Sequence, residues 1–159
     1  MSREPSVTFQ PIAGLLGWVL PGLGHCFLGQ VHRGLLVLAG VMGLFLGGIF
    51  IGGIDVIDQR EDKWWFVLQA GVGPVALATN WVHQRQFKVP DGRGQQPRSG
   101  YPDPSRNPGG KPAANTKSLG RVNEVGSLWA AMGGMLNAIA VIDALWYARG
   151  PRRRNGGAA

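Results

Sequence analysis

From Gly34 to Ile54 the chain carries no charged residue and no strongly polar group. Wound as an α-helix, that stretch is about 30 Å long, the thickness of a bilayer's hydrocarbon core. A core helix of a water-soluble protein is usually shorter and keeps one polar face. The segment therefore predicts a membrane-spanning helix, and the rest of the chain has to be compatible with lipid as a solvent.

Three more apolar stretches accompany it. Trp64 to Val82 is uncharged, with Gln69, Thr79 and Asn80 as its polar members. Leu128 to Ala148 holds a single charge, Asp143. Trp129 and Trp146 repeat the separation of Trp64 and Trp81, about 26 Å along a helix, and tryptophan favours the two membrane interfaces. Ile12 to Leu28 is long enough only if it runs through Pro21, which lacks an N–H and kinks a helix. We expect an all-α membrane protein: a bundle of four transmembrane helices, or three with a kinked or re-entrant first segment. Its parts are an N-terminal segment 1–10, membrane helices 1–3 over 11–82 with a glycine-rich turn at 21–34, a loop 83–125, a fourth helix 126–149 and a basic tail 150–159.

Composition supports the same class. Charged residues make up 16% of the chain, against about 25% in soluble domains. The 26 glycines fall mostly within apolar runs, where small residues let helices approach closely. The net charge of +7 is concentrated around residues 85–121 and in Arg149, Arg152, Arg153 and Arg154. Both clusters flank apolar segments, so they predict contact with anionic lipid headgroups rather than specific nucleic-acid binding. The loop contains Pro90, Pro97, Pro102, Pro104, Pro108 and Pro112 and has no apolar periodicity, which predicts disorder. Four spans would put this loop and the Arg33 turn on one side, with the tail and the acidic connection Asp58, Glu61 and Asp62 on the other. A cytoplasmic loop with outward termini is expected. Cys26 is the single cysteine, so no intrachain disulfide forms. No small-residue cleavage site follows the first apolar run, and His25 is too large to precede a lipidated cysteine.

Lipid tails are as apolar as leucine, so helices must associate through close packing and hydrogen bonds. Gly126, Ala130, Gly134 and Ala138 recur every fourth residue and form a smooth stripe. Gly43 with Gly47, and Gly48 with Gly52, have GxxxG spacing. The two stripes are expected to touch. Asn137 lies in the last helix, and Asp143 nearer its end. A charge at the bilayer centre costs at least ~2.5 kcal/mol, so Asp143 should face protein or water. It reads either as a proton or ion site or, the favoured reading, as a helix-end carboxylate paired with a basic or backbone donor. Asn137 reads as an interhelical hydrogen-bonding group.

The most distinctive segment is Pro21-Gly22-Leu23-Gly24-His25-Cys26-Phe27-Leu28-Gly29. Pro21, Gly22, Gly24 and Gly29 favour a tight turn, which His25 and Phe27 would anchor by a hydrogen bond and ring packing. The segment resembles the two-transmembrane-helix domain superfamily, in which a proline-glycine-rich motif joins two short spans, although Phe27 stands at that family's usual tyrosine. Leu136 to Ala144 looks like the ending of uncharacterised bacterial membrane proteins that share the motif. The resemblance implies a polytopic protein of a bacterial inner membrane and carries no enzymatic activity with it. Gly22-x-Gly24-x-x-Phe27 lacks the third glycine of a dinucleotide fingerprint. His25 and Cys26, with His32 and His83 the other histidines, do not form a recognisable zinc motif, and adjacent helical residues point about 100° apart, which disfavours a Cys–His nucleophile. No catalytic residue, cofactor or metal is expected. The expected function is a non-enzymatic structural or interaction component of the membrane, as a homo-oligomer or with a membrane-protein partner. The alternative is a small transporter or channel-like subunit with Asp143 and Asn137 on a polar path.

Overall fold

The computed structural model describes residues 7–59, 62–87 and 121–148. They are mostly helical. α1 (Pro11–Val19) and α2 (Leu23–Phe27) precede the long α3 (Val31–Gly52). α4 (Lys63–Gln69) and α5 (Pro74–Val82) precede the long α6 (Val122–Leu145). β1 (Val7–Phe9) pairs antiparallel with β2 (Trp146–Ala148) and brings the two outer ends of the described chain together. Most of loop 83–125 and the whole basic tail lie outside the described residues. The described flanks differ from the expected boundaries, since His83–Phe87 forms a π-helical turn and α6 begins at Val122.

Two helices, α3 and α6, are long and apolar enough to cross a membrane. In the most apolar window of α3 only 22% of residues are buried inside the fold. A soluble core helix would be mostly buried, whereas most of the apolar side chains of α3 are left partly or fully exposed by the fold. α3 and α6 run antiparallel. A Cβ on Gly48 would lie 2.5 Å from the Gly126 carbonyl oxygen, and one on Gly133 would lie 3.1 Å from that of Val41. Such separations exist only because both partners are small.

The first and third predicted spans are not continuous helices: the first breaks where a kinked or re-entrant segment is the expected alternative, and the third breaks where a continuous span is expected. Pro21 and Gly22 break the first. Gly22 has φ +81, and its Cβ position is filled by the Gly34 carbonyl. Gly73 breaks the third at φ +102, ahead of Pro74, which opens α5 where a missing N–H costs nothing. A 3-10 turn, Ala70–Val72, leads into that break. Each broken segment is a hairpin of two short helices, and the hairpins enter from opposite ends. α1 starts beside Leu145, where Gln10 N–H donates to the Leu145 carbonyl, and α2 returns to Asp143 at that end. α4 starts after Asp58, and α5 returns to Gln59 at the other end. The hairpin tips meet, with Gly73 packed on the Trp18 carbonyl. Hairpin then long helix therefore runs twice, in opposite directions.

This layout changes the meaning of two sequence signals. Trp64 and Trp81 lie at the open end of one hairpin, on the same side, rather than at opposite interfaces. Arg33 lies at the end holding the outer termini, while the acidic connection lies at the end where loop 83–125 leaves and returns, the reverse of the expected grouping. Both corrections follow from hairpins that turn back where spans would have crossed.

The core joins the two halves. Val41, Phe45, Val56, Ile57, Phe66, Val72, Ala76 and Ala130 form one buried cluster. Among the expected packing residues, Gly126, Ala130 and Gly134 are buried, but Gly43 and Ala138 are exposed. Of the two expected α3 pairs, Gly48 and Gly52 form the stripe that meets the α6 backbone. Gly47 faces the Trp129 ring, and nothing lies within 4 Å of a Cβ on Gly43. Gly134 packs on Leu68 and Gly71 instead of on α3. The reason is that α6 serves two neighbours, with Gly126, Ala130 and Gly133 turned to α3 and Gly134 turned to the α4 hairpin.

Gly48→Leu and Gly134→Leu are each expected to destabilise the detergent-solubilised protein by about 1–3 kcal/mol through overpacking, whereas Gly43→Leu should stay within ~0.5 kcal/mol of wild type. Unfolding titrations of the three variants check this; equal loss in all three would place the contact elsewhere.

Candidate functional site

Three polar centres are built into an otherwise apolar fold. The first is central. Asn137 is fully buried, and its Nδ2 donates to the Gly71 carbonyl at 2.9 Å and to the Gly17 carbonyl at 3.2 Å. Gly17 lies near the tip of the first hairpin and Gly71 at the tip of the second. A carbonyl only accepts, so the amide nitrogen must face both, which fixes the orientation of the side chain. Broken helices expose carbonyls that an intact helix would satisfy, and one amide group here takes one from each hairpin.

The second centre lies where the outer termini meet. His25 Nε2 donates to Asp143 Oδ2 at 2.8 Å, and Arg33 Nη2 approaches the same oxygen at 2.9 Å. The elements explain the convergence. α2 is held close by Gly24, whose Cβ position the Ala13 carbonyl fills, and α3 begins within reach of it after a turn at Gly29, φ +81. His25 is buried, whereas Asp143 and Arg33 are about half exposed. The Arg33 pair is therefore partly screened and worth about 0–1 kcal/mol. The buried imidazole makes the more directional contact. These groups head a groove of about 350 Å³ between α3 and α6, walled by Leu36, Val37, Leu136 and Ile139.

The third centre occupies the opposite end. His83, Asp58 and Asp55 are almost wholly buried. His83 Nδ1 donates to the Ile57 carbonyl at 3.1 Å, and its Nε2 lies 3.4 Å from Asp55 Oδ1. Gln84 Nε2 donates to Asp58 Oδ1 at 2.7 Å. Asn80 and Gln59 exchange hydrogen bonds beside them, with Gln59 N–H donating to Asn80 Oδ1 at 3.1 Å. The second and third centres share a plan. In each, a histidine on the returning side of a hairpin meets an aspartate at the C-terminal end of a long helix.

The structure thus brings His25 and Asp143 together but separates Asp143 from Asn137, which lies on another side of α6. Phe27 is 56% exposed and packs no turn, contrary to the expected ring anchor; α2 is too short to turn both His25 and Phe27 inward. Pro21, Gly22 and Gly24 are buried within the turn, and Gly29 lies exposed at its end. The third centre was missed because its residues come from separate segments and fit no spacing motif. The one available signal was the placement of His25 and His83, each near the end of an apolar segment.

Fold and centres define a mostly helical protein with two helices able to cross a membrane, tied together by buried polar groups. The chain belongs to a family of unknown function, DUF6677, whose profile matches residues 12–155. Neither curated proteins nor solved structures give a significant match.

Asn137→Leu removes the donor shared by Gly17 and Gly71 and strands two buried carbonyls. A loss of about 1–3 kcal/mol is expected, measured by unfolding in mixed micelles, with Asn137→Gln intermediate. A leucine variant as stable as wild type would mean that the hairpin tips hold without the amide.

Proposed function

We propose that the protein is an integral component of a bacterial inner membrane that acts by holding or recruiting other membrane components, without chemistry of its own. In this reading α3 and α6 cross the bilayer and the two hairpins enter it halfway from opposite faces. Non-helical backbone at membrane depth is tolerated where protein buries it, and Pro21, Gly22 and Gly73 at the two breaks are buried. The outer surface suits lipid: Leu35, Leu36, Phe50, Ile139 and Ile142 are exposed, while Asn137, Gln69 and His25 are inside. In water so much exposed apolar surface would drive association.

The observation that carries the non-transport reading is the closed centre. The hairpin tips touch, and the amide between them is fully buried, so among the described residues the fold is closed at its middle, between the two polar ends. The basic loop and tail would hold anionic headgroups, each lysine or arginine near the surface adding ~1 kcal/mol. The kinship with two-transmembrane-helix proteins suggested by Pro21 to Gly29 fits this role. A second reading, a small transporter or channel-like subunit, is favoured by one feature. Two half-length hairpins meeting at mid-depth is a plan used by transporters. It requires the tips to part.

Extraction in mild detergent tests the proposal. The tagged chain is expected to stay in the membrane through alkaline washing, then to elute with a stoichiometric partner or as an oligomer. Elution as a lone monomer, with ion flux in proteoliposomes that Asp143→Asn abolishes, would replace it with the second reading. Orientation is read separately. With outward termini, an impermeant maleimide on intact cells labels Gly156→Cys but not Ser99→Cys, each in a Cys26→Ser background, and the opposite pattern reverses the topology.

A further inference from the structure

We propose that Asp55, Asp58 and His83 form a binding site for one divalent transition-metal ion of the zinc or manganese class. One ligand atom from each lies within 4.8 Å of the others. Asp55 is held in the 3-10 turn after α3 (Ile54–Val56), Asp58 follows on the connection to α4, and His83 opens the π-helical turn after α5. Single π-turns in helical proteins frequently mark functional positions.

The independent observation is the orientation of the His83 ring. Its Nδ1 faces a backbone carbonyl, which only accepts, so Nδ1 carries a ring proton. That directs Nε2, the nitrogen left to coordinate, towards the Asp55 carboxylate. Their 3.4 Å separation is long for a hydrogen bond. It is the separation two ligands have on a tetrahedral ion, because metal–nitrogen and metal–oxygen bonds of about 2.0–2.2 Å at a tetrahedral angle put the ligand atoms roughly 3.4 Å apart. Metal-bound histidines characteristically donate their other N–H to a carbonyl or carboxylate, and ligating carboxylates are hydrogen-bonded in turn. The Ile57 carbonyl and the Gln84 amide occupy those two supporting positions.

One imidazole and two carboxylates suit zinc or manganese better than soft, thiolate-preferring ions. Both aspartates also engage other groups of the chain. An ion would use one oxygen of each and leave the other for those contacts. At the opposite end the corresponding His25–Asp143 pair has Arg33 as its cation. What makes the His83 end a metal-binding candidate is the convergence of one imidazole and two carboxylates, each buried or nearly so, on one point.

Purified, metal-stripped protein in detergent tests this with zinc and manganese chloride separately, by calorimetry and by metal content after desalting. One equivalent of zinc or manganese is expected to bind. His83→Gln and Asp58→Asn should each abolish retention. Gln84→Ala should weaken it about tenfold or more as a positioning residue, and Cys26→Ser should leave it unchanged. Cobalt titration of the unmutated protein gives a second readout that does not depend on a variant folding. A visible d–d spectrum without a thiolate charge-transfer band supports an oxygen-and-nitrogen site. Retention of neither ion, retention unaffected by both ligand variants, or loss in Cys26→Ser would overturn the proposal.

Discussion

The meeting of the two hairpins depends on one buried amide, that of Asn137. Helices that stop inside a packed fold leave backbone carbonyls that their own next turn cannot satisfy. Asn137 takes one carbonyl from each of two such helices. It does so from the helix that also packs on α1, α3 and α4, so one side chain ties the hairpins to each other and to the main antiparallel pair. Its own Oδ1 has no hydrogen-bond partner among the described residues, a cost accepted at this position for holding both tips. An apolar residue here would fill the space but strand both carbonyls.

The antiparallel pair of long helices gives that amide something rigid to hang on. Gly48, Gly52, Gly126 and Gly133 allow α3 and α6 to touch backbone to backbone, where many close dispersion contacts hold the pair together. α6 carries small residues on more than one side and is accordingly the more enclosed helix, with 39% of its apolar window buried against 22% for α3. The asymmetry has a simple origin: both hairpins lean on α6. α3 is left with a broad lipid-compatible surface, carrying Leu35, Leu36 and Phe50.

Much of this was legible in the sequence, because hydropathy and small-residue spacing are local properties. The uncharged run after Arg33, the long last helix and the small residues at 126, 130 and 134 all follow from one-dimensional pattern. The breaks were written there too. Gly71-x-Gly73-Pro74 places glycine just before a proline that opens a helix, and Pro21-Gly22 sets the same two residue types in the turn of the first segment, yet overall hydropathy favours a continuous span. What could not be read is depth. A hairpin that returns and a helix that crosses have the same composition, and the same tryptophan spacing serves both. The strand pair at Val7 and Trp146 and the His83 cluster depend on residues brought together only once depth is known.

Depth also determines the chemistry of the two ends. Because each hairpin returns to its own side, its histidine is delivered to the C-terminal end of the long helix that finishes there, beside an aspartate. Helix C-termini attract positive charge, so both ends call for a cation near the carboxylate. At Asp143 the chain supplies Arg33 from the first turn of α3. At Asp55 the chain supplies a second carboxylate, Asp58, and a histidine whose proton is committed to a carbonyl. Two copies of one plan, tied at their centre by the same amide, therefore carry different groups at their ends: a histidine, an aspartate and an arginine at one, and a histidine with two aspartates at the other.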